Sequence, residues 1–218
     1  MALVLSLGGS LLGTVDAIRE WSSSLAGLGV GKIVVVVGGG PLARDYITLA
    51  RKLSGDEFSC DRIGILATRM NSELLLAALR SRGVGVYPIV ASSVEEAIVA
   101  TGSHDIVLLC GTQPGHTTDC VSAMVAENLR SELIIATCVD GIYDRDPAKH
   151  ADAKLVNEIK VSDLLKGDIG AGSRSPLDPV AAMIISRSKI PTKIVNGSDI
   201  ENLKGAIQNR DFRGTRVV

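Results

Sequence analysis

The chain has 218 residues, of which 46% are apolar and 3% aromatic, with a formal net charge of -1. That length supports one sizeable core, and that apolar content excludes a disordered chain. No basic stripe or set of stacking rings suits a nucleic acid, and no stretch approaches the roughly 20 apolar residues that span a bilayer.

The N-terminus, Met1-Ala2-Leu3-Val4-Leu5, lacks a basic region and runs into a glycine turn, so it reads as a first strand and not as a signal peptide. Further apolar runs are Lys32–Val37, Val84–Val90, Asp105–Cys110, Leu133–Cys138, Thr192–Val195 and Thr215–Val218. Ile33-Val34-Val35-Val36-Val37 is β-branched and does not alternate, the pattern of a strand buried on both faces. Amphipathic stretches lie between the runs. Val15, Ile18, Trp21, Leu25 and Leu28 follow helical spacing after Thr14 as N-cap. Pro41 suits the first turn of a helix through Leu42–Leu53. Ser93 with Glu96, and Ser198 with Glu201, match capping boxes, and Asp178-Pro179 opens a helix to about Ser188. Alternating strands and helices predict an α/β class: a three-layer α/β/α sandwich around a mostly parallel sheet of about eight strands, as one domain over residues 1–218. The polar, glycine-bearing stretch Lys149–Ser175 reads as a flap. Cys60, Cys110, Cys120 and Cys138 form no C-x-x-C pair and are expected to be reduced thiols of a cytoplasmic protein.

Four strand ends carry chemistry, where open α/β sheets bind ligands. Gly8-Gly9-Ser10 follows the first strand and Gly38-Gly39-Gly40 the second. Glycines let backbone N–H groups approach an anion, and a helix N-terminus favours negative charge. Arg44, read as lying in the first turn of the next helix, opposes the helix dipole by a few tenths to about 1 kcal/mol unless an anion lies between. The third turn, Gly111-Thr112-Gln113-Pro114-Gly115-His116-Thr117-Thr118-Asp119, gathers more hydrogen-bonding side chains than a helix cap requires, which suits a small polar ligand. The fourth holds Asp140-Gly141 and Asp146-Pro147, both turn formers, with Tyr143 between as a surface for a flat ring. No His, Cys or carboxylate set has zinc-ligand spacing.

These strings resemble the amino-acid-kinase superfamily, most closely its archaeal-type uridylate kinases, over nearly the whole chain. Carrying the resemblance are Leu7–Ser10, Val37–Gly40 with Arg44, Asp61–Ile65 with Thr68-Arg69, Gly111–Asp119, Val139–Tyr143 with Asp146-Pro147, Leu177–Pro179 and Gly214-Thr215. The resemblance implies transfer of the ATP γ-phosphoryl group to UMP in pyrimidine nucleotide synthesis, with the N-terminal part mainly binding UMP and the C-terminal part ATP. By the same resemblance Gly8, Gly9, Ser10, Gly40, Arg44, Thr137, Asp140, Tyr143 and Asp146 serve ATP, with Arg44, Gly9 and Ser10 at the transfer itself. Gly39, Asp61, Gly111, Thr112, Gln113, Pro114, Gly115, His116, Thr117 and Thr118 serve UMP. It further implies Mg²⁺ held through the ATP phosphates, a homohexamer, feedback inhibition by UTP, and neither nucleic-acid nor membrane partners. Two departures stand out: Ser6 and Met183 occupy positions where superfamily members can carry lysine. Other readings are a kinase of the same scaffold acting on isopentenyl phosphate, carbamate or an amino acid, and a non-catalytic nucleotide-binding or storage relative.

Overall fold

A computed structural model of the chain describes residues 2–54, 56–166 and 177–218. In chain order the elements are β1 (Ala2–Leu7), a 3-10 turn (Gly9–Leu12), α1 (Val15–Gly27), β2 (Lys32–Val37), α2 (Gly40–Ser54), α3 (Glu57–Ser81), α4 (Val94–Ala100) and β3 (Ile106–Leu109). There follow α5 (Thr118–Leu129), β4 (Leu133–Thr137), β5 (Glu158–Ile159), α6 (Val161–Lys166), α7 (Pro179–Ser188), β6 (Thr192–Asn196), α8 (Ile200–Ile207) and β7 (Gly214–Val217). Seven strands among the described residues, not about eight, form one sheet in the order β3-β2-β1-β4-β6-β7-β5. Every neighbouring pair is parallel except β6 with β7.

The β-branched run explains the layering. Ile33, Val35 and Val37 pack with Leu3, Leu5 and Leu7 against Trp21 and Leu25 of α1 and Leu75 and Leu79 of α3. Val34 and Val36 face the other way, into a cluster with Val121 and Val125 of α5 and Ile184 and Ile185 of α7. Each such side chain contributes about 1.5–3 kcal/mol on leaving water, so β1 and β2 anchor both faces of the sheet. Thr14 caps α1 by accepting from Ala17 N, and Asp178 caps α7 by accepting from Val180 N and Ala181 N, both where the sequence places them.

Four details differ from the sequence reading. Val84–Val90 is no strand; it touches the sheet only through bridges of Val86 to Ile106 and Ala91 to Leu109, because Pro88 interrupts the run and cannot donate to a ladder. The cap of α8 is Asp199, which accepts from Asn202 N, and not Ser198. Ser93 does cap α4, but the Glu96 carboxylate returns to Ser92 N at 2.9 Å instead of to the cap residue. Of the expected flap, residues 149–166 contain β5 and α6, while 167–175 lie outside the described residues.

Candidate active site

Strands β1, β2, β3, β4 and β6 run in one direction, so their carboxyl ends share one edge of the sheet. The chain builds outward from β1 through β2 to β3, then returns to place β4 on the other side of β1. This reversal is the switch point where such sheets open a ligand crevice.

The first two glycine turns meet there, backbone against backbone. A Cβ on Gly9 would overlap Gly38 O and Gly40 N and lie 2.6 Å from Gly38 C. Gly40 has φ +60°, and a Cβ there would lie 2.6 Å from Gly9 O and 2.7 Å from Ser10 N. Only glycine allows both the left-handed backbone and this approach. Among the described residues, no acceptor pairs with the N–H groups of Gly9, Ser10, Gly39 or Gly40. Four unpaired donors at two touching turns make a cradle for anionic oxygens. Helix α2 begins at Gly40, so Arg44 is its fifth residue, just past the first turn in which the sequence reading placed it. Its guanidinium is exposed and, among the described residues, bonds to nothing.

Beside the cradle lies a cavity of about 320 Å³ lined by Ala43, Ile47, Asp61, Gly64, Ile65, Thr68 and the third turn through Gly111, Gln113, Gly115, His116, Thr117 and Thr118. Its size suits a mononucleotide. Thr112, Pro114 and Gly39 do not line it, but a Cβ on Gly39 would meet Ala43 and Thr68, which do. Thr117 caps α5 by accepting from Cys120 N. Gln113 Nε2 donates to His116 Nδ1 at 3.1 Å. Asp61 Oδ2 accepts from Gly115 N at 2.8 Å, which fixes the turn and leaves Oδ1 for a ligand. A larger hollow of about 650 Å³ lies around Pro191 and Val217, at the opposite edge, and gathers none of the turn residues.

Across β1, the fourth turn is braced from a distance. Asp140 Oδ1 accepts from Asn196 Nδ2 at 3.2 Å, and its Oδ2 from Tyr143 Oη at 3.1 Å and Arg213 Nε at 2.7 Å. Burial pushes the Asp140 carboxyl up, but the hydrogen bonds from Asn196, Arg213 and Tyr143 outweigh it and hold the group below the usual carboxylate range. The Asp140 carboxylate is thus engaged by protein partners. Asp146 forms a local turn by accepting from Ala148 N at 3.0 Å. The Thr137 carbonyl, at the end of β4, accepts from Gly197 N at 2.8 Å.

Ser6, where relatives can carry lysine, has a partner of its own: its hydroxyl donates to Asp119 Oδ1 at 2.7 Å. Burial pushes the Asp119 carboxyl up to about 6; the Ser6 bond lowers it in part, and the Asp178 carboxylate raises it again. The folded state therefore favours the proton. The penalty for the ionised form is absent below the unfolded pKa near 4, grows as pH rises, and is complete above about 6. Asp119→Asn is expected to stabilise the ligand-free protein by about 1–2 kcal/mol at pH 8 and to have no effect at pH 4. Thermal melting at both pH values checks this; an equal effect at both would contradict it.

Sequence reasoning missed Asn71, whose buried amide supports the second glycine turn, and Arg213, which braces Asp140. The signal for Asn71 was available: it sits three residues beyond Thr68, on the same face of one helix.

The amino acid kinase family model matches residues 1–196. The chain belongs to that family. Within it, the uridylate kinase of Methanococcus aeolicus is 41% identical over 100% of this chain and 99% of its own length. That of Methanothrix thermoacetophila is 44% identical over 95% of each. The crystal structure of uridylate kinase from Archaeoglobus fulgidus superposes with a TM-score of 0.88 at 37% identity, covering 100% of both chains.

Proposed function

We infer that the chain is a nucleoside monophosphate kinase that transfers the γ-phosphoryl group of ATP to UMP, giving UDP and ADP. The observation that carries this is the contact between the two glycine turns, which among the described residues hold four N–H donors without an acceptor, beside a mononucleotide-sized cavity. The acceptor oxygen of UMP is already ionised near neutral pH, so the reaction requires no general base. The protein acts by alignment and by donors fixed where charge develops. Gly8, Gly9, Ser10, Gly40 and Arg44 would hold the ATP phosphates, and the Gly39, Asp61 and Gly111–Thr118 group would hold UMP. Thr137 and Tyr143 would border the adenosine, with Asp140 and Asp146 shaping that loop. The N-terminal part of one domain thus serves the acceptor and the C-terminal part the donor.

Measured ADP release with UMP, CMP and isopentenyl phosphate as acceptors tests this reading. UMP is expected to be turned over best. Preference for isopentenyl phosphate would replace it with another kinase of the scaffold, and nucleotide binding without ADP would replace it with a storage or binding relative. Asp61→Asn keeps an oxygen for Gly115 N but loses the charge. It is expected to raise the KM for UMP about tenfold, the effect of one charge-assisted hydrogen bond, with the KM for ATP changed less than twofold. Equal effects on both substrates would place Asp61 elsewhere.

Mg²⁺ fits the site as a companion of ATP. No group of three or more potential ligand side chains exists among the described residues, so the phosphates would supply most of the coordination. The ion would supply neutralisation of phosphate charge.

An oligomer, taken here as a homohexamer, is supported by an exposed apolar stripe. Leu49 and Leu53 of α2 and Phe58, Leu66, Met70 and Leu74 of α3 are each more than half exposed. Such a face on a globular chain marks an interaction surface. A monomeric mass in sedimentation equilibrium would remove this proposal. UTP carries the uridine and phosphates that the UMP cavity and cradle are built for, which supports inhibition competitive with UMP; unchanged rates under added UTP would count against it. A cytoplasmic location is supported by four cysteines that all remain thiols, and partition with membranes on fractionation would contradict it.

A further inference from the structure

Helix α3 does more than fill the core. Three of its polar side chains, Asp61, Thr68 and Asn71, stand on one face at helical spacing, and each grips the backbone of a site turn. Asp61 holds Gly115 N. Thr68 Oγ1 accepts from Gly111 N at 2.8 Å while donating to Ile65 O at 2.6 Å. Asn71, 8% exposed, donates from Nδ2 to both Gly38 O at 2.9 Å and Gly39 O at 3.1 Å.

We propose that Asn71 is a positioning residue for phosphoryl transfer, acting through the Gly38-Gly39-Gly40 backbone. A trans peptide is planar, with its C=O and N–H pointing in opposite directions. An amide that holds the carbonyls of Gly38 and Gly39 from the helix side therefore turns the N–H groups of Gly39 and Gly40 away from α3, into the anion cradle. Those are two of the four unpaired donors there. Three consecutive glycines leave the turn free to rotate its peptides; Ala43 N also donates to Gly39 O, at 3.3 Å, so Asn71 is the side-chain clamp on both carbonyls and the one that holds Gly38 O from α3. The amide suits this place: its NH₂ group supplies the two N–H donors that two carbonyl acceptors need without adding a charge, and an aspartate there would oppose oxygen to oxygen.

This role rests on the reading of the site as a UMP kinase, and it separates two functions along one helix. Asn71 governs the transfer step, while Thr68 shapes the UMP cavity. Asn71→Ala and Asn71→Ser are to be compared with Thr68→Val in steady-state kinetics with UMP and ATP. Melting temperature and binding of an analogue that joins uridine and adenosine through a polyphosphate are measured on the same proteins. Asn71→Ala is expected to lower kcat about 100-fold, the cost of misplacing reacting groups by about an ångström, with the KM for UMP within about threefold. Its affinity for the joined analogue is expected to fall by at least about tenfold. Asn71→Ser retains one donor and should lie between Asn71→Ala and the parent. Thr68→Val is expected to show the opposite split, a raised KM for UMP at near-normal kcat.

An Asn71→Ala protein that melts lower but keeps kcat and analogue affinity within about threefold would overturn the proposal and leave Asn71 a fold-stabilising residue only. So would equal losses in UMP binding and turnover. Should Asn71→Ala fail to fold, Asn71→Ser decides by the same ratio of kcat to KM effects. A parent protein that forms no ADP from UMP would instead defeat the functional reading. Asn71 would then be judged by analogue binding alone, where unchanged affinity overturns it.

Discussion

Replacing Gly9 by alanine is expected to lower kcat/KM at least about 1000-fold and to reduce the melting temperature. The added Cβ would overlap the backbone of Gly38 and Gly40, and backbone cannot move aside as the end of a flexible side chain can. The two turns must separate, so the N–H groups of Gly9 and Ser10 lose their alignment with those of Gly39 and Gly40. Losing a single preorganised donor costs about 10²–10³ in rate, and this change disturbs several at once. Gly85→Ala is the control, because a Cβ there meets nothing within 4 Å. Steady-state kinetics and thermal melting of both variants check the expectation. A Gly9→Ala protein within tenfold of parental activity would show that the contact between the turns is not what aligns the phosphates.

Arg44→Ala is expected to lower kcat about 100-fold or more, with smaller changes in either KM. Arg51, Arg145, Arg187 and Arg213 are all paired with carboxylates, whereas the Arg44 guanidinium is exposed and bonds to nothing among the described residues. It stands one turn into α2, whose N-terminal glycine contributes to the cradle. With Ser6 donating to Asp119 and Met183 exposed on α7, neither position of the usual lysines supplies a cation. On the proposed reading, charge developing on the transferred group would therefore fall to Arg44, the N–H donors and the metal–nucleotide complex. Arg44→Lys should recover only part of the loss, because an ammonium lacks the planar fork that holds two phosphate oxygens. Unaltered turnover in Arg44→Ala would remove this residue from the reaction.

The sheet was legible because its strands are written in residues that only one environment tolerates. The Ile33–Val37 run requires cover on both faces, and both faces are covered. The glycine turns were legible for a related reason, since their spacing after strands leaves few other uses. Helix α3 was not legible as a helix, although it is the longest in the described chain. Its inward face carries Gly64, Thr68, Asn71 and Ser72 where a core helix would show leucine, because those positions serve the backbone of the site. Its outward face carries Leu66, Met70 and Leu74, which blurs the periodicity further. The Ser6–Asp119 and Arg213–Asp140 bonds join residues 113 and 73 positions apart, a proximity that local pattern does not encode. Ser6 thus read as a missing lysine, whereas in the fold it is the hydroxyl that steadies a half-buried carboxyl.

The central claim is that main-chain donors of two touching glycine turns hold the phosphates of both nucleotides. Amide chemical shifts, followed by ¹⁵N–¹H NMR during titration with UMP and a non-hydrolysable ATP analogue, test it most directly. The signals of Gly9, Ser10, Gly39 and Gly40 are expected to move furthest on formation of the ternary complex, with those around Pro191 and Val217 unmoved. Large shifts at the opposite edge of the sheet, with these four amides unchanged at saturation, would contradict it.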